Sequence, residues 1–209
     1  MANDTVERRK ITEYVKNMNL RDHAVLIYEN PQDKRNVLFT YLKAGLDKGE
    51  AATYVTSQET PEEIRESMRK FGIDVEKHTK NGSLHVFDYR NWYIIDGKFN
   101  IERTVGLWKK LLEESKSQGF KGMRVTGETE CFFQNNMIDE LFEYEHSLHK
   151  TLDIPMTAIC AYDSNLLVTR KEWFNLLIEL LNTHSTAIML GKEGVASTSS
   201  KDILITIPL

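Results

Sequence analysis

The chain has 209 residues, of which 41% are hydrophobic and 28% are charged, and its formal net charge at pH 7 is −4. These proportions are ordinary for a globular protein, and the length suits one domain of the usual ~50 to 250 residues. Because Lys and Arg are scattered, direct binding to nucleic acid is disfavoured. Apolar runs fall short of the ~20 residues of a membrane span, and the N-terminus lacks the apolar core of a signal peptide. We therefore expect a cytoplasmic protein with no membrane partner.

Short apolar segments alternate with amphipathic segments of helical length. We predict strands over residues 23–29, 51–57, 83–89, 156–163 and 186–190, with a further one within 122–130. We predict one helix that ends at Gly49 and a second that begins after the cap Thr60 and ends at Gly72. A third helix follows the cap Asn100, a fourth spans residues 135–152, and a fifth begins after Thr169 and buries Trp173. Such alternation predicts an α/β three-layer sandwich with a mainly parallel sheet.

The two ends of the chain suggest separate roles. Residues 1–20 form a predicted helix that either packs on the domain or makes a dimer contact, and residues 21–209 form a single domain. The tail after residue 190 combines a polar turn with an alternating segment, which is typical of an antiparallel edge strand. Since an exposed apolar edge invites pairing, we expect a homodimer or a separate signalling partner.

The stretch GMRVTGETE places Glu128 and Glu130 just past the end of a strand that we predict to be central in the sheet. Ligands of open α/β sheets bind outside the carboxyl ends of the strands. We expect a ligand edge there, formed by Tyr28, Glu29, Gly127, Glu128, Glu130 and Tyr162, with Ser57, Glu59, Asp88 and Arg90 alongside. Several carboxylates fit a cation, a hydroxyl-rich small molecule or a proton-linked sensor, and the residue types specify no reaction.

The connection after the first strand tests for a phosphate-binding loop. Residues 29–34 read ENPQDK and contain no glycine, whereas such a loop needs glycine-rich backbone. Glu29 and Asp33 would repel a triphosphate, and Pro31 lacks an amide hydrogen. ATP hydrolysis of the P-loop type is therefore strongly disfavoured.

Glu145 falls on the apolar arc of its predicted helix, whereas Glu143 points away from it. A carboxylate on a packed face must find a partner or become neutral. Two interpretations carry equal weight: a structural partner of a backbone amide or of Arg124, or a site residue. We expect Glu145 and Glu128 to converge at one end of the sheet, which would raise the pKa of at least one of them unless a cation or Arg124 intervenes.

His23 lies at the start of the first predicted strand, and His184 lies just before the predicted strand over residues 186–190. Capping or packing is the favoured interpretation for both, and a shared metal or proton is the alternative. Cys160 lies in mid-strand and is interpreted as a small buried hydrophobe, and both it and Cys131 are expected to be free thiols. Metal-binding and catalytic motifs with diagnostic spacing are lacking, so we assign no catalytic residue and no metal ligand, and the identity of any cofactor stays unknown.

The words DHAVLIYEN, NGSLHVFD, VTGE, EYE, AICAYD and NTH, in this order over residues 20–190, resemble the MEDS domain (methanogen and methylotroph, DcmR sensory domain). The resemblance implies a RecA- or KaiC-like fold without the nucleotide-binding loop and a role in sensing small organic compounds. The positions that match its words are His23, Tyr28, Glu29, Gly127, Glu128, Glu143, Tyr144, Glu145, Cys160, Tyr162 and His184. Many members read HICLFYE where this chain reads HAVLIYE, which weakens a thiol or metal role at that point.

The sequence thus favours a non-catalytic sensory module that binds a small organic molecule at the carboxyl ends of its strands. Tyr28, Glu29, Gly127, Glu128, Glu145 and Tyr162 are the predicted ligand-binding residues, with His23, Tyr144, Cys160 and His184 in support. The alternatives are a degenerate KaiC-like protein that still binds a nucleotide and, third, a hydrolase that uses Glu128 as its base.

Overall fold

A computed structural model describes the backbone of residues 2–199 and the side chains from Val6 onward. The seven-stranded sheet has the order β3-β2-β6-β7-β1-β8-β9. Its strands are β1 (His23–Tyr28), β2 (Ala51–Thr56), β3 (Leu84–Asp88), β6 (Met123–Glu128), β7 (Thr157–Asp163), β8 (Thr186–Gly191) and β9 (Gly194–Ser199), and a separate hairpin joins β4 (Ile94–Ile95) to β5 (Lys98–Phe99).

All neighbours in the main sheet pair in parallel except β9, which runs antiparallel to β8. The predicted mainly parallel sheet and its antiparallel edge strand are therefore confirmed. One detail is wrong: β7 occupies the middle position, and β6, which we expected there, is its neighbour. The apolar segment of the tail, residues 203–209, lies outside the described residues.

Helices cover both faces of the sheet, which confirms the three layers. Their bounds are α1 (Ala2–Lys16), α2 (Pro31–Asp47), α3 (Pro61–Phe71), α4 (Val75–Lys80), α5 (Ile101–Ser117), α6 (Glu130–Gln134), α7 (Ile138–Leu148), α8 (Ser164–Leu167) and α9 (Trp173–Thr183). The apolar side chains of α1 to α4 pack on one face, and those of α5 to α9 with the β4–β5 hairpin pack on the other. Within residues 2–199 no helix combines the length and apolar character needed to cross a bilayer.

Local signals explain several helix ends. Thr60 and Glu63 form the capping box of α3, and Gly72 ends that helix in the left-handed conformation with φ of 93°. Asn100 caps α5 by accepting a hydrogen bond from the Arg103 amide. These boundaries match the sequence prediction because each rests on a contact within three or four residues.

Two predicted helices differ from the structure. The segment 135–152 is not one helix: α6 begins at Glu130, and α7 begins only at Ile138 after a break at Asn136, whose φ is 55°. Trp173 is not buried; it is 41% exposed at the start of α9, beside Phe174, which is 58% exposed. The core-facing positions of that helix begin later, since Leu180 is its fully buried apolar residue.

Arg124 ties α1 to the sheet. Its guanidinium is 1% exposed and donates to the backbone carbonyls of Val15 at 2.8 Å and Lys16 at 3.2 Å. Its Nε lies 2.5 Å from Glu50 Oε2. A cation at the C-terminus of a helix interacts favourably with the free carbonyls and the helix dipole. The N-terminal helix thus packs on α2 and the sheet, with Ile11 and Val15 buried.

Candidate functional site

Glu128 is the last residue of β6 and is completely buried. Lys34 Nζ lies 2.5 Å from its Oε1, and the Tyr54 hydroxyl donates to the same oxygen at 2.6 Å. The backbone amides of Ser57 and Gln58 donate to Oε2 at 2.7 and 3.0 Å. Burial alone would raise the pKa of Glu128, but the Lys34 ammonium and these donors outweigh it and hold the pKa below its ordinary value. Glu128 is therefore an ionised carboxylate with both oxygens occupied.

Glu130, at the start of α6, lies next to this pair. It accepts hydrogen bonds from the Tyr28 hydroxyl and from Ser57 Oγ, the latter at 2.7 Å. Burial and the negative charge of Glu128 raise the pKa of Glu130 to about 7. We name this group the edge cluster: Tyr28, Lys34, Tyr54, Ser57, Glu128 and Glu130. Its two carboxylates differ in protonation around neutral pH because only one has a close cation.

Lys34 is the member that sequence reasoning missed. It lies in the first turn of α2, on the same buried arc as Leu38, Leu42 and Gly45. The spacing of three and four residues between these positions could have identified Lys34 as buried, just as the helical spacing identified Glu145. The Lys34 ammonium is engaged by Glu128 at 2.5 Å and by the Gln58 side chain at 2.8 Å.

Glu128 and Glu145 do not converge, contrary to our prediction. Alternate residues of a strand point to opposite faces. Arg124 and Glu128 face α2, whereas Glu145 of α7 reaches the other face, where Val125 packs. Arg124 is not the partner of Glu145 either, because it binds Glu50. The predicted rise in pKa does occur at Glu145, to about 7, and its leading cause is burial.

Two predicted edge residues have other contacts. Glu29 is partly exposed, and it binds the β8–β9 turn through Lys192, with its carboxylate 2.8 Å from both Nζ and the backbone nitrogen. Gly127 faces the α7 side, where an added Cβ atom would clash with the Tyr93 hydroxyl oxygen. Glycine at this position therefore makes room for the Tyr93 ring.

On the opposite face, four side chains from four segments meet. His23 begins β1, Cys160 lies in β7, His184 precedes β8, and Glu145 comes from α7. Glu145 Oε2 lies 3.6 Å from His23 Nε2, 3.4 Å from His184 Nε2 and 3.7 Å from Cys160 Sγ. His23 Nε2 and Cys160 Sγ are 3.4 Å apart. We name these four residues the inner cluster.

Backbone carbonyls orient both imidazoles of the inner cluster. His23 Nδ1 lies 2.9 Å from the carbonyl oxygen of His149, and His184 Nδ1 lies 2.8 Å from that of Leu180. A carbonyl can only accept, so each Nδ1 carries the hydrogen and each Nε2 presents a lone pair to the cluster. Burial lowers the pKa of His23 to about 4 and that of His184 well below its usual range. The close contacts to Glu145 are therefore not ion pairs of protonated histidines.

Two of the three predicted tyrosines, Tyr162 and Tyr144, lie in neighbouring but different environments. Tyr162 is fully buried, and its hydroxyl donates to Glu145 Oε1 at 2.5 Å. Tyr144 instead accepts a hydrogen bond from Trp108 Nε1 at 2.7 Å and packs edge-on against Tyr93 and Phe99. Tyr162 thus belongs beside the inner cluster, whereas Tyr144 belongs to an aromatic part of the core.

A cavity of about 220 Å³ opens at the carboxyl ends of β1 and β8. Most of its lining is apolar, with the Glu29 carboxylate at its polar side. The lining consists of Ile27, Glu29, Ser164, Leu167, Val168, Trp173, Leu177, Met189, Leu190 and Gly191. Of the predicted ligand-binding residues, Glu29 is the one that reaches this cavity.

Comparison with known proteins gives a family and a fold. The model of the MEDS family, the methanogen/methylotroph, DcmR sensory domain, matches residues 22–185. A KaiC-like protein from the hyperthermophilic archaeon Pyrococcus horikoshii has a similar solved structure, with a TM-score of 0.59 and 16% sequence identity over 90% of this chain and 83% of that one. At this identity the likeness concerns the fold alone. No curated protein matches the sequence significantly.

Proposed function

The chain belongs to the MEDS family, and on that premise we propose that it is a sensory module that binds a small organic molecule at the carboxyl ends of its parallel strands. The family is a sensory one, which suggests a role without catalysis. The observation that supports a ligand at this edge is the apolar cavity between β1, β8 and α9. We propose that the ligand's apolar part lies against Ile27, Leu177 and Met189 and that any polar group meets Glu29.

The size of the cavity limits the ligand. An engineered apolar cavity of about 150 Å³ binds benzene, whereas sites for drug-sized molecules measure roughly 300 to 1,000 Å³. At about 220 Å³, the cavity suits a molecule of some six to eight heavy atoms rather than a nucleotide. This size, together with the engagement of Lys34 by Glu128, ranks a small-molecule sensor above a nucleotide-binding protein.

A series of primary alcohols from methanol to octanol tests the proposal. Each methylene buried in the cavity contributes about 0.8 kcal/mol, so affinity should rise roughly fourfold per methylene until the cavity is full and then fall. Fluorescence of Trp173, which lines the cavity, and thermal stabilisation report binding.

Leu177→Trp fills the cavity and should abolish the length optimum. Leu20→Trp, the same change at a residue that is 61% exposed, serves as the control and should keep it. If affinity rose steadily with alcohol chain length in the wild type, Leu177→Trp and Leu20→Trp alike, the alcohols would be partitioning onto apolar surface, and this would contradict the proposal. A clear stabilisation by ATP with magnesium would favour a nucleotide ligand, and ester or phosphoester turnover lost in Glu128→Gln would favour a hydrolase.

We propose that the signal leaves the module through a homodimer. Val168, Trp173 and Phe174 expose apolar side chains beside the cavity, and two of them also line it. A ligand would therefore change the surface that a second copy contacts. Light scattering at ~100 µM should report a dimer, since a micromolar complex is largely formed at that concentration. A monomer with and without alcohol would exclude this route.

A further inference from the structure

The inner cluster suggests a second site. It is distinct from the cavity at the carboxyl ends of β1 and β8, and it lies on the opposite face of the sheet from the edge cluster. We propose that His23 Nε2, His184 Nε2, Cys160 Sγ and Glu145 Oε2 together bind one divalent metal ion of the zinc class. These four atoms lie within 4.8 Å of one another. Each residue comes from a different segment, so the site exists only in the folded chain.

Four of the six distances between the donor atoms match those around a tetrahedral ion. Zinc bonds of about 2.0 Å to nitrogen and oxygen and 2.3 Å to sulfur place neighbouring donors ~3.3 to 3.7 Å apart at the tetrahedral angle. The four separations given above range from 3.4 to 3.7 Å. The two nitrogen–oxygen separations, 3.6 and 3.4 Å, exceed the ~2.7 to 3.2 Å of an ordinary hydrogen bond, whereas the two contacts of Cys160 Sγ lie within the hydrogen-bonding reach of sulfur. All four donor atoms lie within 4.8 Å of one another, so they are close enough to surround one ion.

The surrounding groups hold the donors as metal sites do. Ligating histidines donate the other ring N–H to a carbonyl or carboxylate, and ligating carboxylates are themselves hydrogen-bonded. Here His149 and Leu180 supply the carbonyls, and Tyr162 binds the far oxygen of Glu145. These contacts fix the tautomers and leave Glu145 Oε2 for the ion.

His184 supplies an independent observation. Its Nε2 is buried, the side chain is 0% exposed, and the atom makes no hydrogen bond to any described residue. Buried polar atoms in native proteins are almost always satisfied by protein or water. A buried nitrogen without a hydrogen-bond partner, within 4.8 Å of three other ligand atoms, supports a metal ion at that point.

Charge and donor type select the ion. A thiolate and a carboxylate together neutralise a divalent cation, which removes the cost of burying an unpaired charge. Two imidazoles and a sulfur are poor ligands for magnesium or calcium, which prefer oxygen, and suit zinc or cobalt. Cys160 is partly exposed, whereas the other three ligands are buried.

Cobalt substitution tests the site in the full chain. Protein produced in cobalt-supplemented medium, so that the ion is present during folding, should hold one ion per chain. Its spectrum should show the visible bands of tetrahedral cobalt and a thiolate-to-metal charge-transfer band in the near ultraviolet. Added zinc should displace both features.

Matched variants assign the ligands. Cys160→Ser should lose the charge-transfer band and bind cobalt at least about tenfold more weakly, since losing even a supporting residue typically costs 10- to 100-fold. Cys131→Ser, at the second free cysteine, which is buried outside the inner cluster, should keep both the band and the affinity. His184→Asn should weaken binding where His146→Asn, at a surface histidine of α7, does not.

Circular dichroism of the metal-free variants shows whether each variant still folds. The zinc content per folded chain then shows whether a folded variant has lost metal binding. Absence of bound cobalt or zinc in the folded wild type would overturn the proposal. So would an octahedral spectrum, or equal behaviour of Cys160→Ser and Cys131→Ser.

Discussion

The edge cluster and the inner cluster lie on opposite faces of one sheet and handle buried polar groups differently. In the edge cluster, Glu128 receives an ammonium, a hydroxyl and two amides, so both of its oxygens are occupied. In the inner cluster, Tyr162 donates a hydrogen bond to one oxygen of Glu145. The other oxygen faces the two histidine Nε2 atoms and Cys160 Sγ, at 3.4 to 3.7 Å, which is too long for strong hydrogen bonds. Completeness of hydrogen bonding, more than burial or residue type, separates an internal structural group from a candidate ligand site.

Removing the cation of the edge cluster should have the largest effect. Lys34→Met leaves Glu128 buried without a charge partner, and breaking a buried pair costs about 3 to 5 kcal/mol. We expect urea unfolding to show a loss of this size at pH 7. Lys43→Met, which removes the surface partner of Asp47 on the same helix, should cost less than about 1 kcal/mol.

The double variant Lys34→Met/Glu128→Gln should recover part of that loss because no uncompensated charge remains. Equal stability of Lys34→Met and wild type would show that Glu128 does not depend on this ion pair.

The pH dependence of stability should isolate Glu130. Because the pKa of Glu130 is raised in the folded state, its contribution to stability is fully present below the unfolded pKa of about 4.5 and is lost as pH rises through about 7. At pH 8 the loss amounts to as much as ~3 kcal/mol, at 1.36 kcal/mol per pKa unit.

Glu130→Gln resembles the protonated acid, so relative to wild type it should gain stability between pH 5 and pH 8. Glu143→Gln, at an exposed residue, is the control and should run parallel to wild type. Parallel curves for Glu130→Gln would mean that Glu130 ionises freely in the folded protein.

Zinc should stabilise the folded chain through the inner cluster and independently of the edge cluster. If zinc binds the inner cluster and not the unfolded chain, a free concentration 100 times Kd raises the free energy of unfolding by about 2.7 kcal/mol. The shift should persist in Lys34→Met, whose change lies on the other face, and disappear in Glu145→Gln. Calorimetry with and without zinc makes the comparison, and a shift retained in Glu145→Gln would place the ion elsewhere.

The contact at Gly127 tests the alternation of faces directly. Gly127→Ala brings a Cβ atom against the Tyr93 hydroxyl on the α7 side, and overpacking of this kind costs about 1 to 3 kcal/mol. Tyr93→Phe in the same chain should relieve part of the cost. Gly106→Ala, in α5 with no neighbouring atom within 4 Å of the added Cβ, should be neutral or stabilising by up to about 1 kcal/mol. A harmless Gly127→Ala would place Tyr93 elsewhere.

Much of the fold could be predicted from the sequence because its signals are local or periodic. The capping box at Thr60 and Glu63 needs contacts over three residues, and strands alternating with helices require parallel crossovers. Short elements such as α6 and α8 were missed because four or five residues carry too little periodicity. Trp173 was misplaced because an apolar residue in the first turn of a helix does not reveal which face is buried.

The candidate site was predicted less completely because it depends on which residues share a face. The helical arc identified Glu145 as buried, and alternation along β6 was available to separate Glu128 from it, since Val125 and Gly127 occupy the other face. The meeting of His23, Cys160 and His184 requires the register of β7, β1 and β8, which no local pattern contains. All of the predicted ligand-binding residues, Glu29 included, remain predictions with respect to the small organic molecule.

Anomalous diffraction at the zinc edge, from crystals of the wild-type chain saturated with zinc, tests the contrast between the two faces most directly. We predict one internal peak, about 2.0 to 2.3 Å from His23 Nε2, His184 Nε2, Cys160 Sγ and Glu145 Oε2, with Lys34 still bound to Glu128. An internal peak beside Glu128 and Glu130, or no peak among the four donors of the inner cluster, would contradict the account.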